Sequence, residues 1–321
     1  MSSDMMQFPM CPPTDKEALE DYSNLQALDT TGFIQQGDWY SRSEFPDRYK
    51  ILTYIDSDRT GMIASNKHHW YARMSCDSLN SPSPIRSWYQ REIKKTLKNS
   101  KYFKESPKTA IALRKYIASQ FKPSAALALY RFFGATRVYD PCGGWGDRLV
   151  AALAGDIHYH CRDTNPLVIA ADSAMEQMYP HKGHVSFDYR GSEIDPPDGK
   201  FDLAFTSPPY WKAEKYQGDT SSHKMYKKFD AWMEGFLFPM VENCLKAVVD
   251  GGVVALNVSD IYGNHTYNRI VAPLLEKYDH LGPQVMGYKM AKRVGSKSMG
   301  EGTFAEPIVI IKKKQGCLNE Q

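Results

Sequence analysis

From about residue 108 onward the chain alternates between two hydrophobic periods. Apolar positions three and four apart predict helices over 109–120, 123–133, 145–154, 166–178, 229–249 and 267–278. Short apolar runs between them predict strands over 137–140, 157–163, 184–187, 201–206 and 252–258. The helix at 123 opens with proline, whose missing N–H costs nothing in a first turn. This alternation predicts an α/β fold of the Rossmann-like class, a doubly wound, mostly parallel sheet with helices on both faces. Two last extended stretches, 284–289 and 307–312, predict a C-terminal antiparallel hairpin.

Residues 1–105 lack that regularity. They hold Pro9, Pro12 and Pro13, aromatic pieces such as Trp39-Tyr40, and the run Ser81-Pro-Ser-Pro84. One helix is predicted over 85–98, where Trp88, Ile93 and Leu97 recur near helical spacing and Lys94, Lys95 and Lys98 crowd the other side. That lysine face reads as a solvated surface, or as one that tracks phosphates. The expected division is an N-terminal accessory or substrate-recognition region over 1–105, a main domain over 106–315 and a tail over 316–321.

Composition narrows the partners only a little. Forty basic and 37 acidic residues leave a formal charge of +3, so any nucleic-acid contact must be local. Twenty Tyr, 14 Phe and 6 Trp supply rings able to stack on flat ligands. The six cysteines are scattered without a CxxC pair, which points to a reducing, cytoplasmic setting. No window reaches the roughly 18 apolar residues of a membrane helix, so a soluble chain is expected. His68 and His69 have no third ligand at metal spacing, and no metal is expected. Oligomeric state is not legible.

The strongest local signal is Tyr139-Asp-Pro-Cys-Gly-Gly-Trp-Gly-Asp-Arg-Leu149. A strand ends at Asp140, and Gly143, Gly144 and Gly146 then let the backbone approach a ligand before a helix begins. The next strand ends at Asp163, near the offset at which an acidic residue reaches a ribose. Asp140 and Asp147 flank the turn and disfavour a pyrophosphate, whereas an ammonium or sulfonium group suits it.

The second signal is Phe205-Thr-Ser-Pro-Pro-Tyr-Trp211, which follows the fourth strand of the main domain. In an open sheet of this kind that strand lies beside the first, so both loops share one crevice. Two prolines fix φ and remove two donors, turning the Ser207 and Pro208 carbonyls into a rigid acceptor platform. Such a platform fits the two N–H groups of an exocyclic amine, with Tyr210 stacked on the base. Transfer then rests on orientation and charge stabilisation, and no strong general base is called for.

Asp140-Pro-Cys-Gly-Gly-Trp-Gly146 resembles the cofactor motif, and Thr206-Ser-Pro-Pro-Tyr-Trp211 the catalytic motif, of S-adenosylmethionine-dependent DNA amino-methyltransferases. These enzymes modify cytosine N4 or adenine N6, and the serine form is more similar to the cytosine-N4 branch. The resemblance runs over about 110–313, includes Glu306-Pro-Ile-Val-Ile310, and is close to DNA methylases of phages and prokaryotes, as in restriction-modification. It implies S-adenosyl-L-methionine as cofactor, with Asp140, Cys142, Gly144 and Gly146 on its methionine side, Asp163 on the ribose and Asp188 by the adenine. It implies catalytic roles for Ser207, Pro208, Pro209 and Tyr210. Cys142 stands where the family commonly has phenylalanine, and no separate target-recognition insert is present. Trp211, Lys215 and Lys224 are the expected substrate contacts, the two lysines within a basic loop at 212–228 that also carries Lys212, Lys227 and Lys228; a second basic loop at 262–300 carries Lys289, Lys292, Arg293 and Lys297. The expected partner is nucleic acid, DNA before RNA; an RNA or small-amine substrate, or a non-catalytic cofactor-binding subunit, are the alternatives.

Overall fold

The computed structural model describes residues 8–78, 81–90, 99, 106–114, 117–211, 214–216, 220–258, 269–290 and 302–314. Five parallel strands carry its centre: β5 (Arg137–Asp140), β6 (His158–Arg162), β7 (Val185–Asp188), β8 (Phe201–Thr206) and β10 (Val248–Asn257). Antiparallel to β10 runs β12 (Thr303–Lys312), which pairs on its other side with β11 (Gln284–Lys289). The order β7-β6-β5-β8-β10-β12-β11 is thus a doubly wound parallel sheet extended by an antiparallel hairpin, the Rossmann-like class expected.

The N-terminal segment is built into the same sheet. Strand β3 (Lys50–Ile55) pairs parallel with β11, and β1 (Ile34–Gln36) pairs antiparallel with β3. A short β2 (Trp39–Tyr40) adds to β12. The expectation of a separate accessory region at 1–105 meets a shared core: Tyr22, Leu25 and Ile55 pack in one cluster with Val138, Leu203, Phe205 and Ile308. The physical reason is edge protection. β11 and β12 expose unpaired backbone groups that β3 and β2 satisfy.

Strict alternation divides the sheet into two cores. Val138, Leu203, Phe205, Ala255 and Ile308 face the helices Asp15–Ala27, Pro123–Phe132 and Asp147–Ala154. Tyr139, Ala204, Val254, Leu256 and Val309 face the helices Phe238–Ala247 and Val271–Lys277. Period-2 side chains require such a two-sided burial in a sheet covered on both faces.

Local differences from the expected elements have local causes. Pro107 starts a helix that is described to Arg114, and 117–120 are irregular because Ala118 O is taken by the Arg73 guanidinium from the N-terminal helix Met62–Ser75. The helix expected over 229–249 is broken into Phe229–Trp232, a widened turn at Met233–Leu237 and Phe238–Ala247. Pro239, lacking an N–H, stands just after that widened turn. Of the helix expected over 85–98, Pro84–Tyr89 is described, capped by Ser83. Lys94, Lys95, Lys98, Lys212, Lys292, Arg293 and Lys297 lie outside the described residues.

Candidate active site

Strands β5, β6 and β8 end at one edge of the sheet, and their loops surround a cleft holding ≈ 690 Å³ of atom-free space, its open mouth included. Gly144, Asp163, Ser192 and Glu193 line it together with Ser207 and Pro209, so both motif loops reach one cavity.

The glycine turn is held from behind by charge. Asp140 is wholly buried; its carboxylate accepts from Arg148 Nε at 2.7 Å, from the Tyr159 hydroxyl at 2.5 Å and from Cys142 N at 3.1 Å. Arg148 also donates to the carbonyl of Cys142 at 2.5 Å, and ion pairing to Asp140 raises its pKa despite burial. Asp140 therefore does not line the cleft as expected. Asp147 turns the other way, accepting from Ser65 Oγ at 2.5 Å and Gln120 Nε2 at 2.9 Å. Both acids thought to repel phosphate at the turn are thus committed to internal partners.

The glycines divide their roles. Gly144 (φ +64) lines the cleft, and its N–H donates to Asp163 at 3.1 Å. Gly146 (φ +70), expected at the cofactor, instead abuts the N-terminal helix. A Cβ there would stand 2.6 Å from His69 Nε2. His69 Nε2 in turn meets Asp172 Oδ1 at 2.8 Å, both side chains buried. Burial raises the Asp172 pKa, with the His69 contact opposing.

Asp163 does reach the cleft. It is half-buried, its oxygens accept from Gly144 N and from Asn165 N at 2.8 Å, and desolvation lifts its pKa to about 6. Cys142 also lines the cleft; its Sγ lies 3.6 Å from Met240 Sδ, and burial pushes the thiol up. Asp188, expected by the adenine, is instead held by Arg162 at 3.0 Å and Arg190 at 2.7 Å. Two residues beyond Arg190 the loop presents Ser192 and then Glu193, which the sequence reading missed. The only local hint was the turn residue Gly191. Glu193 Oε2 is buried without a hydrogen-bond partner among the described residues, the buried Ser192 side chain acts on the Cys142 thiol beside it, and burial raises the Glu193 pKa.

The loop after β8 is held by neutral groups. Pro208 is buried. Ser207 Oγ lies 3.2 Å from the Tyr210 hydroxyl and 3.3 Å from Asn257 Oδ1 on β10, and Tyr210 donates to the Asn257 carbonyl at 3.1 Å. Burial raises the Tyr210 pKa well above its ordinary value. Asn257 went unnoticed in the sequence. Trp211 adopts φ +46, donates from Nε1 to Tyr226 O at 3.0 Å and packs edge-on against Phe229. Its indole thus anchors the loop, where a substrate contact was expected. A bulky residue in that region costs about 1–3 kcal/mol, offset here by the packing of the half-buried ring.

Over the cleft mouth lie Tyr216, tilted on Trp145 at 5.7 Å, and Thr220, whose Oγ1 donates to Thr164 O at 3.4 Å. Lys215, exposed in β9 (Glu214–Lys215), and Lys224, exposed in the short helix Ser222–Met225, flank this segment. β9 is itself pinned by β4 (Asp77–Ser78) from the N-terminal segment.

No protein-family model matches the chain, and no curated protein matches it. Among solved structures it is similar to an S-adenosylmethionine-dependent O-methyltransferase from Thermotoga maritima, at 14% identity and TM-score 0.42, over 64% of this chain and 69% of that one. It is also similar to an rRNA methylase from Streptococcus thermophilus, at 13% identity and TM-score 0.37, over 62% of this chain and 100% of that one. The assignment of fold rests on the strand order and register of the chain itself.

Proposed function

We propose that this chain transfers a methyl group from S-adenosyl-L-methionine to the exocyclic amine of a nucleic-acid base, cytosine N4 or adenine N6 in DNA. The observation that carries the reading is the shared cavity: the glycine turn and the Ser207-Pro208-Pro209 loop border the same space. The cofactor's chemistry fits that lining. Asp163 and Glu193 bring two carboxyl groups to a cleft where Arg190, the one cation among its described lining residues, is already paired with Asp188 and Asp195. An anionic cleft favours a cationic ligand. The unpartnered Glu193 Oε2 is a polar atom that a bound nucleoside would satisfy.

When bound, the cofactor supplies an electrophilic methyl group on a sulfonium centre. The chain's part is to hold and orient. Gly144 and Asp163 hold the cofactor along the turn, and Ser192 and Glu193 hold it on the opposite wall. Ser207 Oγ and the Pro208 carbonyl accept from the target amine, and Tyr210 supports the base. A base in a duplex must leave the stack to reach them, while a single strand presents it at lower cost.

The test is incubation of the full chain with methyl-labelled cofactor and single-stranded DNA, duplex DNA or RNA, followed by mass spectrometry of the nucleosides. Label on N4-methylcytosine or N6-methyladenine from DNA is the expected result. Label on RNA alone would move the substrate assignment. Failure to label any nucleic acid would overturn it.

A further inference from the structure

Three neighbouring strands place a polar residue at the same edge and on the same face of the sheet. Ser207 follows Phe205 by two positions at the end of β8, and Asn257 follows Ala255 by two at the end of β10. Glu306 precedes Ile308 by two at the start of the antiparallel β12. Phe205, Ala255 and Ile308 share one core, so the period of two carries Ser207, Asn257 and Glu306 to one side. The strands adjoin in register, Leu256 beside Thr206 and Asn257 opposite Ile308. Contacts link the row: Ser207 Oγ lies 3.3 Å from Asn257 Oδ1, the Asn257 amide donates to Pro307 O at 3.4 Å beside Glu306, and the Asn257 side chain favours the ionised Glu306 carboxyl. Tyr210 joins it through the Asn257 carbonyl at 3.1 Å.

A carboxyl group in this row is unusual in its surroundings. Asn257 and Tyr210 beside it are neutral, and on β11 Tyr288 stands opposite, its hydroxyl engaged by Lys122 N at 3.2 Å. Arg42, after β2, is the cation whose field reaches it. Desolvation raises the Glu306 pKa, with the Asn257 hydrogen bond and Arg42 opposing. No ion pair fixes Glu306 among the described residues, in contrast to Asp140 and Asp188, which hold their loops through arginines. Among the described residues no cation is bonded to this carboxylate, so its role differs from that of Asp140 and Asp188.

We infer that Glu306 is the proton acceptor for the methylated amine, with Asn257 as the positioning residue that links it to Ser207. The inference rests on the amine-transfer reading above. The nitrogen lone pair forms the N–CH3 bond as the S–CH3 bond breaks, and that bonding pair stays on sulfur. The nitrogen, now cationic, gives its N–H proton to the Glu306 carboxylate. Charge and atoms balance without a further reactant. Because the carboxylate must be ionised, the rate is full above the Glu306 pKa and falls as pH drops through it.

The experiment compares the wild-type chain with Glu306→Gln and Glu306→Asp, using methyl-labelled cofactor and single-stranded oligonucleotides containing cytosine or adenine. Single-turnover rates are followed across pH, S-adenosylhomocysteine affinity is measured by calorimetry, and the Glu306 carboxyl is titrated by carbon-13 NMR in the wild type. We expect Glu306→Gln to slow transfer about a hundredfold, the lower end of general acid–base contributions, and to lose the acid limb. Its S-adenosylhomocysteine affinity should stay within about threefold, since the lost interaction belongs to the transition state. Glu306→Asp should recover part of the rate, and the carboxyl should titrate at the pH of the acid limb. A Glu306→Gln rate within about threefold of wild type, with the acid limb retained, overturns the assignment while the methyl-transfer reading stands. A carboxyl titration that misses the limb also overturns it. If the wild type labels neither base, both readings fall together.

Discussion

The two loops that meet at the cleft leave adjacent strands, yet opposite means hold them. Behind the glycine turn, Asp140 and Arg148 neutralise each other in a buried pair, and Asp147 is spent on Ser65 and Gln120. After β8, neutral hydroxyl and carbonyl groups and a half-buried indole do the holding. The first arrangement confines charge to the interior, so the acids offered to the cleft are Asp163 and Glu193. In the second, no described cation bonds the Ser207 or Tyr210 hydroxyl, which on the proposed reading leaves the Ser207 and Pro208 oxygens for an amine. On the proposed reading, charge builds the cofactor side, and its absence suits the acceptor side.

The largest effect should come from breaking the buried pair. Arg148→Ala strands the Asp140 carboxylate without its cation, a loss of roughly 3–5 kcal/mol in urea unfolding. Replacing both partners with apolar residues, Asp140→Leu with Arg148→Met, should recover most of that stability, because the cost lies in the unpaired charge. A loss below about 1 kcal/mol for Arg148→Ala would remove the contrast between the loops.

Next is Tyr210→Ala, which tests the neutral loop. It removes the hydroxyl bonded to Asn257 O and the ring packed beside Trp211. Methyl transfer should fall about a hundredfold while cofactor affinity changes only a few-fold, since the side chain does not line the cofactor cleft. Equal loss of both, by calorimetry on folded protein, would place Tyr210 at the cofactor.

Asp163 sharpens the comparison through pH. Its folded pKa is raised to about 6 from 3.8, so the folded chain keeps a proton that the unfolded chain has lost. The contribution of Asp163 to stability is therefore greatest below about pH 4 and declines as pH rises to about 6, by at most about 3 kcal/mol before water at the cleft mouth screens it. Asp163→Asn should flatten that part of the pH–stability curve. Asp163→Ala should also weaken cofactor binding by roughly 1.5–3 kcal/mol per lost charge-assisted bond. Undiminished affinity would move the ribose contact to Glu193.

Much of this was legible because it is local. β5, β8 and β11 and the helix Pro166–Met178 follow the expected bounds, since period and turn residues agree there. The pairing of side chains was not legible. Asp140, Asp163 and Asp188 each end or follow a strand, and sequence gives them equal claim to the cofactor. Only the fold brings Arg148 onto Asp140 and Arg162 onto Asp188, and leaves Asp163 to the cleft. Nor did any pattern mark β2 and β3 as strands of the main sheet, because their partners β12 and β11 lie more than two hundred residues away. That pairing also changes one expectation. Removing residues 1–105 would uncover the edge of β11 and take away Ser65 and His69, so a truncated chain should unfold rather than isolate recognition.

Recognition is better tested at the cleft mouth, where the smallest effect is expected. Lys215 and Lys224 are exposed on the segments that follow the Ser207–Trp211 loop, and Thr220, Ser221 and Ser222 between them line the cleft. A backbone running past the target base would meet these lysines if the base enters from that side. Each phosphate neutralised on a single strand contributes about 0.7 to the slope of log K against log salt. Lys215→Ala and Lys224→Ala should each lower that slope by about this amount, with affinity at moderate salt reduced only a few-fold. The measurement is fluorescence anisotropy of a labelled single-stranded oligonucleotide across a salt series. Slopes that stay at the wild-type value in both variants would show that the nucleic acid approaches over β10 and β12, on the Glu306 side, and would leave the mouth segment as a cover for the cofactor.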